Sequence, residues 1–162
     1  MIHLIAGNTG SGKTTYANKL KTGIGGVLFS IDKWNKTLFL PDKQPDDGLE
    51  WFLERIERAE LIMMNLILQL ERAETDSVLD LGFSRFSHRN KFRKFAEANN
   101  IAVKLHFLDI PKETRLQRVM ERNRGKSETF EFKVSQEDFY FMEGYFEKPS
   151  EEELKNGIHI VN

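Results

Sequence analysis

Short apolar runs alternate along the chain with longer segments in which apolar residues recur at helical spacing. The apolar runs are rich in aliphatic residues and end at turn-forming or polar residues, which is typical of buried strands. They predict strands over residues 1–6, 27–30, 77–82, 101–108 and 158–161.

The segments between these strands carry the periodicity of amphipathic helices. They predict helices over residues 14–20, 47–72, 84–99, 111–123 and 135 or 136 to 147. The helix over 111–123 has Pro111 in its first turn, where proline is favoured. Ser150 and Glu153 form a capping-box pattern that predicts one more short helix. A polar segment over 125–134 separates two of the helices.

Strands that alternate with helices predict parallel crossover connections, and therefore a doubly wound α/β sheet with helices on both faces. In such sheets ligands bind at the carboxyl ends of the strands. A chain of 162 residues predicts one domain that spans residues 1–162.

Composition narrows the classes of protein to which this chain can belong. The chain has 24 Lys and Arg residues against 25 Asp and Glu residues, so we expect no extended contact with duplex nucleic acid and no membrane-surface binding. It has no cysteine, which excludes disulfides, thiolate metal sites and a cysteine nucleophile and is compatible with the cytoplasmic location that we expect. We find no signal peptide and no apolar run approaching 18 residues.

The first strand runs directly into a glycine-rich motif, G-x-x-x-x-G-K-T. Glycines let successive backbone N–H groups point at one phosphate chain, and the following helix adds its positive end. The lysine supplies a point charge for the β- and γ-phosphates, and the hydroxyl of the last threonine is a ligand for Mg²⁺. The predicted nucleotide-binding residues are Gly7, Asn8, Thr9, Gly10, Ser11, Gly12, Lys13, Thr14 and Thr15.

Other nucleotide motifs fit the chain less well. Thr15 stands where a dinucleotide fingerprint needs its third glycine. The chain contains no Asn-Lys-x-Asp motif for guanine, and Asp80 does not begin an Asp-x-x-Gly motif. ATP with Mg²⁺ is therefore the predicted phosphoryl donor.

Two aspartates follow strands and face this loop in the predicted sheet. Asp32 follows the second strand, where a carboxylate can accept the proton of an acceptor hydroxyl; the alternative is an N-cap for a helix over 33–38. Asp80 ends the third strand, where it is a candidate for holding Mg²⁺ through water; the alternative is a turn residue.

Arginines crowd the end of the helix over 111–123. They are Arg115, Arg118, Arg122 and Arg124. Arg118 and Arg122 are four residues apart and share a face, and guanidinium groups there can clamp phosphates. The alternative is a solvated face that pairs with Glu113 and Glu121. For the remaining candidates a surface position is favoured over a ligand role: Arg55, Arg58, Arg85, Arg89 and His88.

These features resemble, in order, those of the small P-loop kinases, which include polynucleotide 5′-hydroxyl kinase, chloramphenicol phosphotransferase, zeta-toxin-type sugar-nucleotide kinases and gluconate kinase. The resemblance rests on the phosphate loop and on Ser30-x-Asp32, Leu79-Asp80, Asp109-Ile110-Pro111-x-Glu113 and Arg115-x-x-Arg118-x-x-x-Arg122. It implies a three-layer P-loop NTPase fold with a five-stranded parallel sheet of order 2-3-1-4-5 and a small mobile lid at about 123–136.

The resemblance also implies roles for single residues. Lys13 and Thr14 would bind phosphate and Mg²⁺, Asp32 would be the acceptor-activating base, and Arg118 or Arg122 would be the lid arginine. Asp80 matches the family only in position.

We therefore expect an ATP-dependent kinase that phosphorylates a hydroxyl of a small molecule or of a nucleic-acid end. The alternative is an ATP-binding regulatory or toxin-type module that hydrolyses ATP slowly and acts through a protein partner. Asp32 separates the two functions, because a simple ATPase needs no acceptor base on that strand.

Overall fold

Parallel strands form a single sheet in the computed structural model, which describes residues 1–125 and 134–161. The strands are β1 (Ile2–Gly7), β2 (Val27–Ser30), β3 (Ser77–Asp80), β4 (Val103–Asp109) and β5 (Ile158–Val161). Their order is β2-β3-β1-β4-β5, and every neighbouring pair is parallel. The predicted fold class and strand order are confirmed.

Helices connect the strands and cover both faces of the sheet. They are α1 (Lys13–Ile24), α2 (Ile31–Trp34), α3 (Leu49–Arg72), α4 (Phe86–Ala98), α5 (Lys112–Arg124), α6 (Gln136–Tyr145) and α7 (Glu151–Leu154). A π-helical stretch, Asn35–Phe39, and a 3-10 turn, Leu40–Asp42, follow α2. The predicted lid at 123–136 falls mostly on residues 126–133, which lie outside the described residues.

Several element boundaries differ from the prediction by a few residues, and for two of them the backbone gives the reason. Helix α1 continues past residue 20 and through Gly23 and ends at Ile24, followed by the C-cap Gly25, which adopts the left-handed conformation with φ 66°. Strand β3 ends at Asp80 and not at residue 82, because Gly82 and Phe83 both have positive φ and turn the chain away from the sheet.

The core lies on both faces of the central strands, as parallel sheets require. Successive residues of β1 alternate between the faces: Leu4 packs with the apolar sides of α3 and α4, and Ile5 packs with α1. Among the described helices, none combines the length and apolar character needed to cross a membrane.

A chain of hydrogen-bonded polar side chains, buried at His3 and His106, links β1, β4 and α1. Nδ1 of His3 lies 2.9 Å from Nε2 of His106, and the Tyr16 hydroxyl lies 2.8 Å from Nδ1 of His106. Asp76 contacts the other ring nitrogen of His3 at 3.2 Å. Burial of His106, reinforced by nearby His3 and Lys104, lowers the pKa of its imidazole to about 4.

This histidine predicts a stability loss in mild acid. Below pH 6.5 the unfolded chain protonates His106, but the folded protein does so only near pH 4, so stability falls as pH falls through this window. The loss expected between pH 7.5 and pH 5 is about 2 kcal/mol. Urea unfolding at both pH values measures it. The variant His106→Gln should start less stable and lose less on acidification, and an equal loss in both proteins would contradict the assignment.

Candidate active site

The phosphate loop lies between β1 and α1, at the carboxyl end of the sheet. Gly10 and Gly12 have φ values of 81° and 91°, which favour glycine. A Cβ on Gly10 would come within 2.5 Å of the Arg115 carbonyl oxygen, so a side chain there would collide with α5. Gly12 is the N-cap of α1 and brings the helix N-terminus to the loop.

Lys13 and Thr14, at the end of the loop, lie near the carboxylates of Asp80 and Asp32. The Thr14 hydroxyl donates to Oδ2 of Asp80 at 2.8 Å, and Nζ of Lys13 lies 3.3 Å from the Asn8 carbonyl oxygen. Burial raises the pKa of Asp80, and the ammonium of Lys13 acts against that shift. Burial lowers the pKa of Lys13, while the carboxylates of Asp80 and Asp32 act in the opposite direction. The group is therefore an electrostatically coupled cluster.

A cleft of about 450 Å³ opens above this cluster. Besides the loop, its walls carry residues of α2, α5 and α6, of the ends of β2 and β3, and of the segment after β3. The lining residues are Thr9, Gly10, Gly12, Lys13, Thr14, Thr15, Ser30, Asp32, Lys33, Asp80, Gly82, Ser84, Arg122, Val134, Asp138 and Met142. Gly7, Asn8 and Ser11, which were also predicted to bind nucleotide, belong to the loop but are not among the residues that line the cleft.

Asp32 lies in the wall of the same cleft as Lys13 and Thr14. The structure differs from the N-cap alternative, because α2 begins at Ile31 and Ser30 occupies the N-cap position. Asp32 is therefore in the first turn of α2, where its exposed carboxylate lies near the positive end of a helix.

The arginines of α5 separate into different environments. Arg122 lines the cleft, and its Nε is buried without a hydrogen-bond partner within the described part of the chain. Arg118 is half-buried and does not line the cleft, and Arg124 is exposed. Arg115 does not belong to a solvated face, and it does not line the cleft. It is buried and bonds to Glu143 and to the carbonyl oxygens of Thr9 and Ile110.

The other basic candidates lie away from the cleft lining. Arg55 stacks on Trp51, with its guanidinium carbon 3.7 Å from the ring centroid. Arg58 and Arg85 pair with surface carboxylates, as their predicted surface position requires. The surface prediction was wrong for Arg89, which is completely buried, and His88 is half-buried against Glu60.

Sequence reasoning missed the contribution of α6. Asp138 and Met142, four residues apart on one helical face, line the cleft, and Glu143 contacts the loop through Asn8. The pattern of α6 signals a helix, but nothing in it indicates which residues on other elements the helix meets.

The residues present fit a magnesium nucleotide. The loop and the N-terminus of α1 line the cleft together with Lys13, and Nε of Arg122, a buried polar atom of another lining residue, lacks a hydrogen-bond partner among the described residues. Thr14 and Asp80 supply oxygen ligands of the kind that Mg²⁺ takes when it keeps several waters. No group of three or more His, Asp or Glu side chains suited to a metal occurs in the described ranges.

Comparison with known proteins places this fold in a family. A family model described as "AAA domain" (AAA_33) matches residues 2–149. No curated protein matches the chain significantly.

Solved structures share the fold at low sequence identity. A provisionally named kinase from Chloroflexus aurantiacus has a TM-score of 0.74 and 13% identity over 99% of this chain and 86% of its own. Kti12 of Chaetomium thermophilum, solved with ADP-AlF3, has a TM-score of 0.72 and 13% identity over 100% of this chain and 88% of its own. A gluconokinase from Sinorhizobium meliloti 1021 has a TM-score of 0.61 and 14% identity over 98% and 81%. The chain therefore belongs to the AAA domain family AAA_33 and has a P-loop kinase-like fold.

Proposed function

We propose that the protein is an ATP-dependent phosphotransferase that transfers the γ-phosphoryl group to a hydroxyl of a small molecule or of a nucleic-acid end. The observation that carries this proposal is that Asp32 shares one cleft with Lys13, Thr14 and Asp80. A carboxylate across from a phosphate loop is what transfer to an alcohol uses and what plain hydrolysis does not require.

Several residues of the cleft have a role in this proposal. The backbone of the loop and Lys13 would hold the phosphate chain, and Thr14 and Asp80 would hold Mg²⁺. Magnesium supplies charge that offsets the phosphate oxygens. Arg122, with its unpartnered Nε, would meet charge on the transferred group, which assigns the lid-arginine role to Arg122 and not to Arg118.

Phosphoryl transfer in this cleft would be a single displacement at the γ-phosphorus. The acceptor oxygen forms a bond to the γ-phosphorus, and the bond from that phosphorus to the β-γ bridging oxygen breaks. The acceptor proton passes to the carboxylate of Asp32, and ADP leaves. ATP is the second substrate, so a cytoplasmic location belongs to the same proposal.

An acceptor screen tests the function. Purified protein with MgATP is offered sugars, nucleosides, hydroxyl-bearing antibiotics and 5′-hydroxyl oligonucleotides, and acceptor-dependent ADP release and phosphorylated product are measured. The proposal predicts a product with at least one class. Nucleotide binding without transfer to any class would instead favour the regulatory module that acts through a protein partner.

Removing the lysine of the loop should weaken nucleotide binding. We expect Lys13→Ala to cost about 2–4 kcal/mol of binding free energy for a non-hydrolysable ATP analogue, roughly 30- to 1,000-fold in Kd, because it removes a charge-assisted contact in a partly buried site. Calorimetric titration measures the change. Lys19→Ala, which removes an exposed lysine of the same helix, is the matched control and should bind like the parent. Equal affinities in all three proteins would refute the assignment.

A further inference from the structure

The carboxylate of Glu143 connects α6 to both the phosphate loop and α5. Its Oε1 accepts from Nδ2 of Asn8 and from Nη1 of Arg115, and its Oε2 accepts from Nη2 of Arg115 at 3.0 Å. The pair with Arg115 is bidentate, which is the geometry of the stronger guanidinium–carboxylate contacts.

The arginine in this connection is enclosed. Its side chain is 8% exposed and that of Glu143 is 20% exposed. The Phe139 ring, one helical turn before Glu143, packs at 5.4 Å from the guanidinium carbon. Helix α6 therefore holds Arg115 with a ring and a carboxylate from the same face.

These contacts act on the first residues of the phosphate loop. Oδ1 of Asn8 accepts from the Thr9 N–H at 2.7 Å, so the side chain that Glu143 orients also orients the loop backbone. Nη1 of Arg115 donates to the Thr9 carbonyl oxygen at 3.2 Å, and Nε donates to Ile110. Residues 8 and 9 are thus held from α6 both directly and through Arg115.

A phosphate loop that has its binding geometry before the nucleotide arrives binds that nucleotide more tightly. Phosphate recognition by such a loop depends on several backbone N–H groups that point at one place before the ligand arrives. If the loop has to become ordered when the nucleotide binds, the free energy of that ordering weakens the binding. Within residues 1–125 and 134–161, the hydrogen bonds of Glu143 reach the cleft lining only through Asn8 and Arg115, both of which bond to Thr9, so its effect on a nucleotide is indirect.

We propose that Glu143 is a positioning residue that pre-organises the phosphate loop for nucleotide binding. The proposal rests on the proposed function only in its first step, the binding of a nucleotide at the loop. It assigns to α6 a role beyond lining the cleft, because movement of α6 would change nucleotide affinity through this one carboxylate.

Two carboxylates of this chain form a matched pair for the test. Glu153 on α7 also makes a bidentate contact with a buried arginine, Arg89, but it does so away from the phosphate loop. We expect Glu143→Gln and Glu153→Gln both to lower the melting temperature, since each leaves a buried guanidinium without its full charge partner. Only Glu143→Gln should weaken MgADP binding, by tenfold or more, in calorimetric titrations at 15 °C.

The outcomes separate this proposal from the phosphotransferase proposal. Parent-like MgADP affinity in folded Glu143→Gln overturns the positioning role, and so does an equal weakening in Glu153→Gln, which would indicate a general effect of lower stability. If Glu143→Gln does not fold, Glu143→Asp keeps the charge that Arg115 needs and shortens the reach. It should bind several-fold more weakly, and parent-like binding would again overturn the role. Absence of MgADP binding in the parent protein would refute the nucleotide site itself and this proposal with it.

Discussion

Replacing Asp32 with asparagine is expected to lower phosphoryl transfer to the acceptor on the order of 10²–10⁴-fold and to leave nucleotide binding nearly unchanged. Asparagine keeps the size and polarity of the side chain but cannot take up the proton of the acceptor hydroxyl. Asp32 does not cap α2, because Ser30 occupies that position, so the substitution should have little effect on the fold.

The effect of Asp32→Asn is measured with an acceptor that the screen has identified. Initial rates of acceptor phosphorylation and calorimetric affinity for MgADP are compared for the parent protein, Asp32→Asn and Asp46→Asn. Asp46 lies exposed in the loop before α3, so this matched control removes the same charge away from the cleft.

Each result has a distinct meaning. A slow Asp32→Asn with parent-like MgADP affinity supports the base. Full transfer by Asp32→Asn refutes it and leaves Asp32 as a cleft-wall residue whose charge neighbours Lys13. If Asp32→Asn loses both MgADP affinity and phosphoryl transfer, Asp32 belongs to nucleotide binding and not to acceptor activation.

Local pattern accounts for the elements and the phosphate loop. The bounds of β2 and β5 follow directly from short apolar runs between turn residues, and the capping box at Ser150 and Glu153 is present as predicted. The loop was predictable because all of its determinants lie within eight consecutive residues. Strand order came from the resemblance to P-loop kinases, since periodicity alone does not order parallel strands.

The errors about the surroundings of single side chains have one physical cause, which is that long-range contacts are invisible to local pattern. Arg115 and Arg89 look like solvated charges because each stands among other charged residues on a polar helix. Each is buried because a carboxylate 28 or 64 residues away reaches it, Glu143 in the first case and Glu153 in the second. For the same reason, local pattern did not show that α6 lines the cleft.

The buried pair of Arg89 and Glu153 predicts the largest stability effect in the molecule. Their side chains are 1% and 3% exposed, and Nη1 of Arg89 also donates to the carbonyl oxygens of Phe83 and Glu147. Arg89 lies on α4, and its hydrogen bonds thus connect this helix to the turn after β3 and to the segment before α7. Although burial opposes it, the guanidinium of Arg89 holds the pKa of Glu153 below its usual value, so the Glu153 carboxylate is ionised at neutral pH.

Removing only the arginine should therefore be costly. We expect Arg89→Met, which keeps the length of the side chain, to lower the free energy of unfolding by about 3–5 kcal/mol, because it leaves a buried carboxylate without its counter-ion. Arg85→Met is the control. Arg85 pairs with Glu147 at 3.1 Å, but the two side chains are 41% and 42% exposed, and surface pairs contribute about 0–1 kcal/mol.

The double variant Arg89→Met/Glu153→Gln identifies the cause of the loss. Glutamine carries no charge and still accepts the Ser150 N–H that the Glu153 carboxylate accepts in the capping box. If the uncompensated charge dominates, urea unfolding will find the double variant more stable than Arg89→Met alone. If the two are equally unstable, the loss arises from the carbonyl oxygens of Phe83 and Glu147, which lose the same donor in both proteins, and the pair itself is then a minor contribution.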